Sequence, residues 1–196
     1  MSDARVVIQV DTRYEDAFEA GRLDNLLLDV AETTLLREKV TGPDRVTVII
    51  TDDEALRKLN REFMGYDEPT DVLSFNASNA RPGNTRPGDT DALPGAAADG
   101  PGIAGGWPDA AGEESDALGD IAISFERAAD QAQAAGHELS HELSVLTAHG
   151  VLHLLGYDHA EPDEKRVMFG KTDEILAVVA DRLDRSPDRP WDRANA

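Results

Sequence analysis

Cysteine is absent from this 196-residue chain. That excludes disulfides and every metal site built on thiolates, and it gives no reason to expect an oxidising compartment. Basic residues are scarce: 19 Lys and Arg stand against 39 Asp and Glu, for a formal net charge of −20. Such a surface repels polyanions, so tight binding to free nucleic acid is not expected, and no DNA partner is expected either. No apolar run approaches the roughly 20 residues of a membrane-spanning helix, so no membrane association is expected. The start, Met1-Ser2-Asp3-Ala4-Arg5, lacks the charged-then-apolar layout of a secretory signal, and a cytoplasmic location is expected. No internal repeat is present. What remains is a hydrophobic content of 40%, enough for one globular domain with a real core.

Taken in order, the chain alternates strand and helix patterns. Arg5 to Val10 is rich in β-branched residues and reads as a strand. From about Tyr14 to Glu38 the apolar spacing is helical, strongest between Leu23 and Leu36. Thr41-Gly42-Pro43-Asp44 is a turn, and Arg45 to Ile50 alternates as a second strand. Thr51 or Asp52 caps a helix that runs to about Phe63 and stops at Gly65. Pro69 forbids its continuation, and Asp71 to Phe75 reads as a third strand near a sheet edge. Asn76 to Ala117, dominated by Gly, Pro, Asp and Ala, has no apolar period and is expected to be a disordered insertion. Leu118 to Phe125 returns to strand character, followed by a helix from Glu126 to Ala135 that Gly136 breaks. A helix from about Glu138 to Leu155 carries apolar residues on two faces, Leu139, Leu143 and Leu146 on one and Val145, Ala148 and Leu152 on the other. It is therefore expected to be a central, mostly buried helix. A last helix opens at Pro162 and Asp163, with Val167, Met168, Thr172, Ile175, Leu176 and Val179 as its apolar face. The expected fold is α/β or α+β: one domain over residues 1–185, interrupted at 76–117, with a mixed sheet of about four strands and a flexible tail at 186–196.

The chemistry concentrates in His149-Gly150-Val151-Leu152-His153-Leu154-Leu155-Gly156-Tyr157-Asp158-His159. His149 and His153 are four residues apart, which puts both rings on one helix face. Gly156 stops the helix and lets His159 swing back toward them. Three of the chain's five histidines lie in this stretch. Three neutral imidazoles around one point, with a fourth position open, form a catalytic rather than a closed structural Zn2+ site. One Zn2+ per chain is expected. The other two histidines, His137 and His141, lie two to three helical turns away, too far to share that metal, and mark a solvated helix start.

The spacing H-x-x-x-H-x-x-G-x-x-H is also that of the metzincin proteases, whose first histidine is followed by a catalytic Glu. Here that position is Gly150, which cannot take a proton. A mid-helix glycine costs about 1 kcal/mol relative to alanine, so something is expected to approach closely there. A metalloprotease is thus a poor alternative, and no Met-turn sequence follows His159. The whole stretch, read as H-G-x-L-H-L-x-G-Y-D-H, resembles the signature of the YbeY family of metal-dependent endoribonucleases. Two further segments carry the resemblance: Leu59 to Phe75, ending in P-T-D-V-L-S-F, and Leu118 to Ser124, L-G-D-I-x-I-S.

The resemblance implies a single-strand-specific endoribonuclease of ribosomal RNA maturation, processing the 3′ end of small-subunit RNA and serving ribosome quality control. Its implied partners are ribosomal RNA and the small ribosomal subunit. A ribosome-associated binding protein with structural zinc is a further alternative. The family resembled has an arginine facing the phosphate directly after the aromatic Phe63, where this chain has Met64. Arg61 lies one helical turn earlier and is the candidate substitute. Asp158 is the candidate proton shuttle or ring-orienting acceptor. Asp71 and Asp120 are weaker candidates, read as turn or cap residues. Thr70 and Ser74 are candidate hydrogen-bond donors to substrate.

Overall fold

The computed structural model describes residues 5–42, 45–77 and 117–185. The β-branched runs form the sheet. Strands β1 (Val6–Val10), β2 (Arg45–Thr51), β3 (Val72–Asn76) and β4 (Ala117–Ser124) are ordered β1-β2-β4-β3. The first two neighbouring pairs are parallel, while β3 runs antiparallel to β4 at the edge. This is the expected mixed four-stranded α+β sheet, with β3 at the edge as its sequence indicated.

The helices are α1 (Arg22–Arg37), α2 (Asp53–Leu59), α3 (Phe125–Ala135), α4 (Leu139–Leu154) and α5 (Pro162–Arg185). Two expected helices are corrected in detail. Glu15–Gly21, expected as the start of α1, is a tighter 3-10 segment. The end of α2, expected to stay α-helical to Phe63, widens into a π turn over Asn60–Met64 and closes on the left-handed Gly65 at φ 80°. Asp52 is the cap of α2, accepting the Ala55 N–H at 2.7 Å.

Alternation along the strands decides which residues meet which helix. Val46, Val48, Ile50, Ile121 and Ile123 project to one face and meet Leu27, Ala31 and Leu35 of α1 and Leu143, Leu146, Val151 and Leu154 of α4. The other face is covered by α2, where Leu56 and Leu59 pack on Leu73 and Ala122. Helix α5 closes the outer side of α1 and α4 through Met168, Ile175 and Val179 against Val30, Ala148 and Leu152. Val167, expected on that apolar face, is 47% exposed, because it falls outside the i, i+4, i+7 stripe of Met168, Thr172 and Ile175. So α4 has the sheet beneath it and helices around it, the central position its two apolar faces require.

Of the expected insertion at 76–117, Asn76 and Ala117 belong to strands, and the rest from 78 to 116 lies outside the described residues, as does the tail from 186. Asn76 is paired across the antiparallel ladder with Gly119. Two strands so paired need only a connection of about 2–5 residues. Replacing Arg81 to Glu114 with a short Gly/Ser linker is therefore expected to leave the melting temperature within a few degrees of the parent. A large drop in a thermal melt would show that the segment packs onto the domain.

Candidate metal centre

The structure brings His149, His153 and His159 together, with one ligand-capable atom from each lying within 4.8 Å of the others. Among the described residues no other group of three or more His and acidic side chains gathers in this way. His149 and His153 come from the last two turns of α4, and their Nε2 atoms are 3.2 Å apart. Two arms of 2.0–2.1 Å at the tetrahedral angle span about 3.3 Å, so this pair already has the edge length of a zinc tetrahedron. His159 arrives from the loop after α4, its ring centroid 5.2 Å from that of His149 and 5.0 Å from that of His153.

The rings are held in a state that suits a metal. His153 Nδ1 donates to the Tyr157 carbonyl at 2.9 Å, which fixes the proton on Nδ1 and leaves the Nε2 lone pair for a ligand. Tyr157 is itself anchored: its hydroxyl donates to Glu38 Oε2 at 2.6 Å, and Lys171 Nζ reaches Glu38 Oε1 at 2.7 Å. The loop that carries His159 is thereby tied to the C-terminal end of α1 and to the middle of α5. Burial, followed by the neighbouring rings of His153 and His159, pushes the His149 pKa down from 6.5 to about 4. Burial also lowers that of His153. Both are neutral at pH 7, the form a metal requires.

The same shifts set a sign for pH dependence. Between pH 6.5 and about 4 the unfolded chain takes up a proton that folded His149 refuses. Stability of the metal-free protein must therefore fall as pH drops through that window. Melts of chelator-treated protein at pH 7.5 and pH 5 should show this loss, and His149→Gln should flatten it.

The triad lies on the wall of an open cleft of about 1130 Å³ between the edge strand β3, helices α3 and α4, and the start of α5. Of the residues singled out in the sequence, Met64, Thr70, Asp71, Ser74 and Asp158 also line it. The Ser74 hydroxyl donates to the Gly150 carbonyl at 3.2 Å, and the Thr70 hydroxyl to Asp71 Oδ1 at 3.2 Å. Asp71 Oδ2 accepts Gln131 Nε2 at 3.0 Å, tying the edge strand to α3. Asp158 Oδ1 accepts the backbone N–H of His159 at 2.7 Å and so braces the third histidine.

Two candidates are not brought to the cleft. Asp120 is not a turn or cap residue: it sits mid-strand, flanked by Thr47 and Phe75, on the sheet face opposite α4, and burial raises its pKa. Arg61 does not line the cleft; its guanidinium lies 3.8 Å from Asp67, which Arg57 also holds at 2.8 Å. The same-face relation of Arg61 and Met64 assumes α-helical geometry, and the π turn rotates Met64 toward the cleft while Arg61 stays outside. His137 pairs with Glu142 at 3.0 Å rather than with the triad.

Sequence reading missed Phe169, Tyr157, Gln131 and Glu142 as cleft residues. Tyr157 left a signal as the aromatic of the H-G-x-L-H-L-x-G-Y-D-H stretch, and Phe169 as an aromatic one position off the apolar stripe of α5. Gly150 is explained as well: a Cβ there would lie 2.6 Å from Ile121 Cγ2, so the expected close approach is the core of the sheet. At Gly119 a Cβ would meet the Phe75 carbonyl oxygen at 2.2 Å, which restricts the L-G-D segment to glycine.

In this α+β domain the convergent histidines, free of cysteine, sit in an open cleft and could hold one metal ion with a coordination position left open, the layout known from hydrolases. A family model described as Endoribonuclease YbeY matches residues 9–180. The chain is 40% identical over 180 residues to an Endoribonuclease YbeY of Roseiflexus sp., covering 91% of this chain and 94% of that one. It is 39% identical over 159 residues to that of Mycobacterium tuberculosis, covering 81% and 77%. The solution structure of TM1509 from Thermotoga maritima shares the fold, with a TM-score of 0.52 at 22% identity and 93% coverage of each chain. The chain belongs to the YbeY endoribonuclease family, and with it to the nucleases that hydrolyse phosphodiester bonds.

Proposed function

We propose that this protein is a zinc-dependent, single-strand-specific endoribonuclease of ribosomal RNA maturation. In this reading it processes the 3′ end of small-subunit RNA, serves ribosome quality control in the cytoplasm, and has the small ribosomal subunit as its partner. The observation that carries the reading is the convergence of His149, His153 and His159 in the open cleft of a YbeY family chain. These three side chains hold one Zn2+. Bound there, the ion supplies a Lewis acid that polarises a phosphoryl oxygen and lowers the pKa of a water to about 7.

The chain's own residues do the rest. Tyr157, through its carbonyl, keeps His153 in the ligating tautomer. Asp158 is the proton acceptor we assign, through Oδ2, since Oδ1 is engaged by the His159 N–H. Thr70 and Ser74 stand on the β3 side of the cleft; their hydroxyl hydrogens are given to Asp71 Oδ1 and the Gly150 carbonyl, so toward a strand their oxygens accept, from a ribose 2′-hydroxyl. A protease base at position 150 has no room, since even a methyl group there meets Ile121. The test is a parallel assay of zinc-loaded protein, alone and with small ribosomal subunits, on single-stranded RNA and on an unstructured protein. RNA cleavage that a chelator stops is expected, with the protein left intact; the reverse pattern would overturn the reading.

Met64 leaves the cleft without the arginine fork that usually faces a phosphoryl group. With a net charge of −20 added, the isolated protein is expected to cut free RNA poorly and to rely on the ribosome to present the strand. Met64→Arg should then raise cleavage at low salt about tenfold, while Arg61→Ala changes it less than about twofold. A strong loss in Arg61→Ala would show that Arg61 reaches the phosphate after all.

A further inference from the structure

Among the described residues lining the cleft there is no Lys or Arg, whereas Asp71, Glu142 and Asp158 are all there. Apart from the metal ion the histidines would hold, no positive charge on these walls grips a phosphate backbone, so the strand away from the scissile phosphate is held by contacts indifferent to charge. The side chain suited to that is Phe169. It stands one position beyond the fully buried Met168, faces outward from α5, and is 46% exposed. Packing of α5 does not account for it, because the helix is seated by Met168, Thr172, Ile175 and Val179. The ring meets His149 edge-on, with centroids 5.8 Å apart and an interplanar angle of 62°, which fixes it beside the triad. One turn earlier on α5, Lys165 holds its ammonium 5.6 Å from the ring centroid.

We infer that Phe169 is a stacking platform for one unpaired nucleobase of the RNA strand, placed next to the metal-ligating histidines, with Lys165 reaching the phosphate of the stacked nucleotide. The inference rests on the endoribonuclease reading above and adds the means by which an acidic cleft takes RNA. A π face attracts any base with little dependence on sequence or salt. A base inside a duplex has both faces covered by its neighbours and cannot use the platform, so preference for single strands follows from the same contact. Lys165 leaves the ring when a base arrives, and its long stem lets the ammonium follow the phosphate.

The test is direct binding, which does not depend on turnover. A labelled 2′-O-methyl hexanucleotide, checked by gel to stay intact through the measurement, is titrated with zinc-loaded protein, and Kd is read by fluorescence anisotropy. Phe169→Leu, which keeps an apolar side chain and loses the π face, is expected to weaken binding on the order of tenfold with zinc content unchanged. Phe169→Trp should bind as well or better. Scanning one abasic nucleotide along the oligomer should find a position that weakens wild-type binding by the same factor and adds nothing to Phe169→Leu. The slope of log Kd against log salt should be shallow, and Lys165→Gln should reduce it by about one phosphate contact. Equal binding by wild type and Phe169→Leu, or a full additional loss with every abasic oligomer, would overturn the platform. That outcome leaves the endoribonuclease reading to its own cleavage assay, which it does not touch.

Discussion

His153→Ala is expected to lose its zinc, its RNA cleavage and its response to chelators together. His153 supplies the Nε2 that lies 3.2 Å from its partner on His149, so its removal leaves one helix ligand and one loop ligand. A metal bound only by the native state stabilises it, by about 4 kcal/mol when free metal is a thousandfold above Kd. For a domain of this size that is a shift of roughly 8–16 °C in melting temperature. The wild type should show such a shift on chelation, and His153→Ala should already melt near the chelated value. His149→Ala should behave alike. His159→Ala, on the exposed loop, should lose metal while disturbing the metal-free fold least. Atomic absorption and a thermal melt on each variant read these quantities, and full zinc content in all three would remove the metal site altogether.

The second large effect is at Gly150. Gly150→Glu writes the protease base back into the histidine stretch, and the expected result is an unstable protein with no proteolytic activity. The reason is steric: the first side-chain atom would sit 2.6 Å from Cγ2 and 3.1 Å from Cδ1 of Ile121, which is fully buried in β4. Neither the strand nor the helix can retreat, since both belong to one close-packed core. Even Gly150→Ala should cost about 1–3 kcal/mol from overpacking, of which helix propensity returns about 1. Gly150→Glu must also bury a carboxylate without a partner, which raises the loss well beyond that. A double-mutant cycle with Ile121→Ala isolates the contact, because the shortened side chain makes room. The double variant Gly150→Ala/Ile121→Ala should lose less stability than the sum of the singles in urea denaturation. Strict additivity would show that α4 and β4 do not touch as described.

The two predictions show how differently the site's parts were written in the chain. The three histidines were legible because their spacing converts to geometry with no tertiary information: four residues on a helix make one face, and a glycine stop turns the loop back. The four strands, the edge position of β3 and the central place of α4 were legible for a similar reason, since β-branched runs and double apolar faces are local patterns. That Arg61 and Asp120 do not line the cleft was not legible, because their positions depend on non-local facts. A π turn at the end of α2 moves Met64 toward the cleft and leaves Arg61 beside Asp67. Strand register with Thr47 and Phe75 sends Asp120 to the sheet face opposite α4.

By itself, then, the sequence determined the convergence of the three histidines, the absence of a protease base at Gly150 and the order of strands and helices, because each rests on residue identity and on periods of a few residues. Only the tertiary structure decided which further side chains share the cleft with the triad. Tyr157 meets Glu38 and Lys171, and Phe169 meets His149, across separations that no local period encodes. Those contacts follow from how α1, α4 and α5 pack on one another, and packing is settled by the fit of whole faces rather than by any single stretch of chain.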